Sequence, residues 1–71
     1  MKYVITDKDE VAVGGGYHSQ LARTLQGKVV AAGHCRLIGD GKRIEVFGRS
    51  AGFRIAAKPE DALVLARHLG L

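Results

Sequence analysis

His18, His34, Cys35 and His68 are the side chains of this 71-residue sequence best suited to act as base, nucleophile or metal ligand near neutral pH. Their spacing argues against a metal. Zinc sites need paired ligands a few residues apart, and His34 and Cys35 are adjacent, so on a strand they point to opposite faces. The same geometry separates them as a nucleophile–base pair. Cys35 therefore reads as a small core residue. Gly41-Lys42 lacks the upstream glycine and the Ser or Thr of a phosphate-binding P-loop, and Gly14-Gly-Gly16 does not match a dinucleotide fingerprint. Neither a metal nor a cofactor is expected.

His18 is the stronger candidate. It follows the three glycines and Tyr17, at the expected start of the first helix. Free backbone N–H groups and the positive end of the helix dipole meet there. Such a place suits a histidine acting as general base and a nearby anion. It equally suits a polar side chain in solvent.

Charge points the same way without deciding it. The formal net charge is +4, and residues 23–58 hold eight Lys and Arg against Asp40 and Glu45. Such an excess suits a phosphate-bearing ligand, a phosphoprotein or nucleic acid. Base stacking would have to rely on Tyr3, Tyr17, Phe47 and Phe53, most of which a core needs, so nucleic acid is the weaker partner. No apolar run approaches the roughly 20 residues of a membrane span, and MKYVITDKDE has no signal-peptide core. A lone cysteine allows no internal disulfide and fits a reducing cytoplasm.

The elements that must position these residues follow from periodicity. Lys2–Thr6 reads as a strand, Asp7–Glu10 as a turn and Val11–Val13 as a second strand stopped by glycine. Tyr17, Leu21 and Leu25 make a helical stripe over 17–26, with Gly27 as its left-handed cap. Lys28–Ile38 and Lys42–Gly48 form a hairpin with a loop at 38–41. That register pairs Leu37 with Lys42, Cys35 with Ile44, Gly33 with Val46 and His34 with Glu45. Gly48–Gly52 reads as a loop, and Phe53–Ala57 fits either an extended piece or a helical turn. Pro59 opens a last helix carrying Ala62, Leu65, Ala66 and Leu69, with Leu63 alongside. The order β-β-α-β-β-α implies one α+β domain over 1–71, a mostly antiparallel sheet with two helices packed on it. So small a core favours self-association, and an exposed hairpin edge would provide for a homodimer.

Lys2-Tyr-Val-Ile5, Tyr17-His18, Gly33-His-Cys-Arg-Leu37 and Ile44-Glu-Val-Phe-Gly-Arg-Ser50 occur in the order of four motifs of the Janus/Ocnus family, the protein phosphohistidine phosphatases. The sequence resembles that family over nearly its whole length, as a short divergent member. The resemblance implies a metal-independent hydrolase with His18 as catalytic general base. It further implies Lys2 as phosphate-binding cation and the backbone of Ser50, Ala51, Gly52 and Phe53 as phosphate cradle. Arg36 would support the sheet face. Two other readings stand beside it. One is a non-catalytic module that uses the same fold and basic surface to bind phosphorylated ligands or nucleic acid. The other is a structural protein completed by dimerisation.

Overall fold

The computed structural model describes residues 1–71. Strand β1 (Lys2–Thr6) is the hub of a sheet in the order β2-β1-β3-β4, with β2 at Val11–Gly14, β3 at Val29–Ile38 and β4 at Arg43–Phe47. Every neighbouring pair is antiparallel. The β-branched and aromatic run Tyr3-Val-Ile-Thr6 suits this central position, and all four residues are buried. A two-stranded ribbon, β5 (Arg49–Ser50) and β6 (Ile55–Ala56), packs on β3. The fold is α+β, as the element order implies.

The two helices take opposite faces. Alternation places Tyr3, Ile5, Ala31, Cys35 and Ile44 on one face, where they form the core with Leu65 of α2 (Asp61–Leu69). Val11, Val13 and Val46 close this cluster from the neighbouring strands. Helix α1 (His18–Ala22) packs instead against β1 and β2. The Cβ position of Gly14, cross-strand from Lys2, lies 3.4 Å from Leu21, so α1 covers the face opposite the core.

Inside the core, the Tyr3 hydroxyl donates to Asp61 Oδ2 at 2.5 Å, and the Lys58 amide donates to the same oxygen at 3.1 Å. The phenol fixes the start of α2 to the centre of the sheet. Burial, then the Asp61 hydrogen bond and its charge, push the Tyr3 pKa well above its ordinary value. Burial also raises the Cys35 thiol. Helix α2 ends at Gly70, left-handed at φ 75°. Leu63 departs from the expected stripe and is 68% exposed, while Val64 takes a place beside Leu65 against the core. Pro59 lies ahead of the helix, in turns closed by Asp61 N to Lys58 O and Ala62 N to Pro59 O.

The first helix is shorter than its apolar spacing predicts, ending at Ala22 rather than near residue 26. Tertiary hydrogen bonds outcompete further helix. Glu10 accepts from the amides of Gln26 and Gly27, and Asp7 accepts from Lys28 N. Those amide bonds hold the Glu10 carboxyl below its usual pKa. Gly27 is therefore no helix cap. An added Cβ there would fall 2.7 Å from Asp7 Oδ1 and 2.8 Å from Thr6, so it is a point of close approach.

The hairpin register also differs, by two residues. Cys35 pairs with Val46, Leu37 with Ile44 and His34 with Phe47. The turn carries left-handed residues at Gly39, Asp40 and Gly41, and Lys42 N bonds Gly39 O, so the loop spans 39–42. A two-residue slip leaves every side chain on its expected face, which is why alternation does not discriminate between the registers. Glu45 consequently faces Arg36, and Arg36 Nη2 lies 2.6 Å from its carboxylate. No helix is long and apolar enough to cross a membrane.

Candidate functional site

His18 is turned inward by what precedes it. Gly16 adopts φ 80°, and Gln20 Oε1 accepts a 3.0 Å hydrogen bond from Tyr17 N, fixing the entry to α1. The imidazole is only 9% exposed, so it is not a solvent-facing polar residue. Its Nε2 lies 2.7 Å from the carbonyl oxygen of Gly33. A carbonyl can only accept, so Nε2 carries a proton, and in the neutral ring the lone pair then lies on Nδ1. The helix contains five residues, too few peptide units to build a substantial dipole. The Gly33 carbonyl fixes the tautomer and orientation of this ring.

Gly33 is shaped for the contact. An added Cβ would lie 2.8 Å from Ala57 Cβ and 3.2 Å from the Tyr3 ring, so a side chain here would push the ribbon off the sheet. The residue thus seats Ala57 on the core face while its carbonyl serves His18.

Lys2 is held at the end of β1 by a pair of bonds between Met1 and β3. Met1 N donates to Cys35 O at 2.9 Å, and Cys35 N donates to Met1 O at 2.8 Å. The Lys2 ammonium stands 5.4 Å from the centroid of the Tyr17 ring, within cation–π range. Tyr17 itself is 71% exposed. It caps α1 from outside rather than joining the expected apolar stripe.

The third component is the turn joining β5 to β6. Ser50 is fully buried, and its Oγ accepts from Phe53 N at 3.4 Å. Arg54 N bonds Ala51 O at 3.3 Å and closes the turn. Arg54 holds a left-handed φ of 56°, a conformation that costs a residue with a side chain on the order of 1 kcal/mol. The backbone amides of Ala51 and Gly52 have no backbone partner, and the space beyond Gly52 is open.

These parts meet. Lys2, His18, Ser50, Ala51, Gly52 and Phe53, from three segments remote in sequence, line one cleft of about 380 Å³. Tyr17, Ser19, His34 and Arg49 complete the lining, and no carboxylate belongs to it. Two permanent cations, two imidazoles and unpaired amides suit an anion with several acceptor oxygens. The wall has no side chain that would compete as a counter-anion.

Sequence alone assigns none of these four to the phosphate site, although it offers His34 as a possible base or metal ligand. Arg49 and Ser19 adjoin residues that it does assign, and Tyr17 reads there as an apolar helix position. His34 had a usable signal. Strand alternation puts it opposite in face to Cys35 and on the same face as Lys2, its cross-strand partner. Its ring packs between Phe47, stacked at 5.6 Å, and His18, edge-on at 5.5 Å. Arg36 lies outside the cleft, paired with Glu45 and set over Phe47. His68 is exposed on α2, away from the site.

Comparison of the chain with protein-family models, with curated proteins and with solved structures gives no match.

Proposed function

We propose that this chain is a short, divergent phosphohistidine-phosphatase-like protein of the Janus/Ocnus type, whose cleft binds a phosphoryl group and hydrolyses a phosphoramidate. The observation that carries the reading is the meeting of Lys2, His18 and the 50–53 turn on one cleft without a carboxylate. Phosphoryl transfer asks mainly for charge stabilisation and a positioned nucleophile, and this lining supplies groups for both.

In this reading Lys2 and the amides of Ala51 and Gly52 hold the phosphoryl oxygens. The Nδ1 lone pair of His18 takes a proton from the attacking water as its oxygen bonds phosphorus. The Nε2–H bond to Gly33 keeps the ring in the tautomer this requires. The substrate class is a phosphorylated protein side chain or a small phosphoramidate, and the partner is a phosphoprotein.

Incubation with a phosphohistidine peptide, following phosphate release, tests the reading. His18→Ala is expected to lower turnover by about 10²–10⁴-fold, the range for loss of a general base. Equal turnover by wild type and variant removes His18 as base. No turnover by wild type removes the hydrolase. If phosphate still binds at the cleft in that case, the alternative of a non-catalytic module for phosphorylated ligands takes its place.

A further inference from the structure

We propose that His34 is the proton donor to the leaving group, so that the cleft works with a base–acid pair of histidines and favours substrates whose leaving nitrogen must be protonated. The inference rests on the hydrolase reading above and adds to it a residue and a leaving-group class.

His34 is a half-buried imidazole that the protein itself leaves without a polar partner, in no side-chain hydrogen bond or ion pair. Its ring is nevertheless held in place. Phe47 stacks on it with an interplanar angle of 23°, and the edge of the His18 ring meets it at 88°. Gly48, at φ 70°, brings its backbone so close that an added Cβ would stand 2.9 Å from His34 Cδ2. An imidazole fixed on several sides, with its nitrogens unengaged by the protein and its ring lining the cleft, is a prepared donor or acceptor.

Elimination among the protic groups of the cleft gives its role. Lysine, arginine, tyrosine and serine, the types of Lys2, Arg49, Tyr17 and Ser19, are not the usual proton-exchanging side chains of a site working near neutral pH. Only the two histidines are of a type that exchanges a proton readily near neutral pH. His18 donates its Nε2 proton to Gly33 and is assigned to the water. His34 remains for the other side of the reaction. The charged or titratable groups around it are Lys2 across the strand pair, His18 on α1, Arg49 on β5, and the Arg36–Glu45 pair beyond Phe47.

The step balances. Water oxygen bonds phosphorus and the P–N bond breaks, its electron pair going to nitrogen. His18 Nδ1 receives one water proton, and the His34 imidazolium gives its proton to the departing nitrogen. The products are inorganic phosphate and the free amine or imidazole. Solvent then takes the proton from His18 and returns one to His34. An expelled nitrogen anion is a very poor leaving group, whereas p-nitrophenolate leaves without a proton, so the two substrate types need the acid unequally.

The test compares a phosphohistidine peptide with p-nitrophenyl phosphate, using wild type and His34→Gln. The expected result is a fall of about 10²–10⁴-fold in the ratio of peptide kcat to aryl-phosphate kcat, a ratio from which any part His34 plays in holding the shared phosphoryl group cancels. The acid-side dependence on pH should change for the peptide alone. Turnover of the aryl phosphate serves as the internal control for folding. Equal losses on both substrates, or no loss on either, overturn the assignment of His34 while leaving the hydrolase reading intact. Absence of turnover by wild type on both substrates overturns the two together.

Discussion

The two faces of the four-stranded sheet are built from alternate residues of the same strands and come out opposite in character. Tyr3 and Cys35 point into a core closed by Leu65, and each is fully buried. Their immediate neighbours Lys2 and His34 line the basic cleft on the other side. The core face satisfies its polar groups internally, with Tyr3 donating to Asp61. The cleft face leaves His34, Lys2, Arg49 and two backbone amides without hydrogen-bond or ion-pair partners in the protein. A period of two residues lets one short strand line the core and the cleft together. The lesson is that a 71-residue chain has no separate scaffold and site. They share backbone.

The core face is the first to test by mutation. Tyr3→Phe removes the donor to a buried carboxylate and is expected to cost roughly 1.5–3 kcal/mol in urea unfolding. The cleft should keep its phosphate response. The variant should also lose part of the alkaline destabilisation. Tyr3 has a raised pKa in the folded state, so its contribution is fully present below the unfolded value, near about 10, and is lost as pH rises beyond it. Cys35, also raised, contributes in the same direction from its own lower unfolded value and remains in the variant. An unchanged alkaline limb would contradict the role given to Tyr3.

Gly33→Ala probes the boundary between the faces, because this residue touches both. Its new methyl group meets Ala57 at 2.8 Å and Tyr3 at 3.2 Å, an overpacking expected to cost about 1–3 kcal/mol. Unlike Tyr3→Phe, it should also disturb the His18 ring through the carbonyl at 2.7 Å. A shift of the His18 ring resonances in Gly33→Ala, with none in Tyr3→Phe, is the expected NMR pattern. Equal shifts in both would mean that the faces are not separable in this way.

The core face was legible in the sequence to a greater depth than the cleft. The β-branched run of β1, the alternation through His34-Cys35 and the burial of Leu65 on the Asp61–Leu69 helix all follow from local pattern. What stayed hidden depends on contacts remote in the chain. Glu10 and Asp7 claim amides at 26–28 and end the first helix early, although its apolar spacing continues to Leu25. The two-residue register slip preserves both faces and is decided by left-handed residues in the turn. That slip sets His34 against Phe47 instead of Glu45, so its place in the cleft was only half visible. Strands as short as Arg49–Ser50 and Ile55–Ala56 carry no periodicity at all.

The central claim is that three remote segments form one phosphate site. Inorganic phosphate titrated into isotope-labelled protein, with amide and imidazole shifts followed by NMR, tests it most directly. The account predicts saturable shifts sharing one dissociation constant at His18, Ala51, Gly52 and Phe53, with Tyr3 and Leu65 unmoved. Unsaturated shifts spread over Lys28, Lys42, Arg43, Arg54 and Lys58 as much as over the cleft would contradict it, leaving only a basic surface.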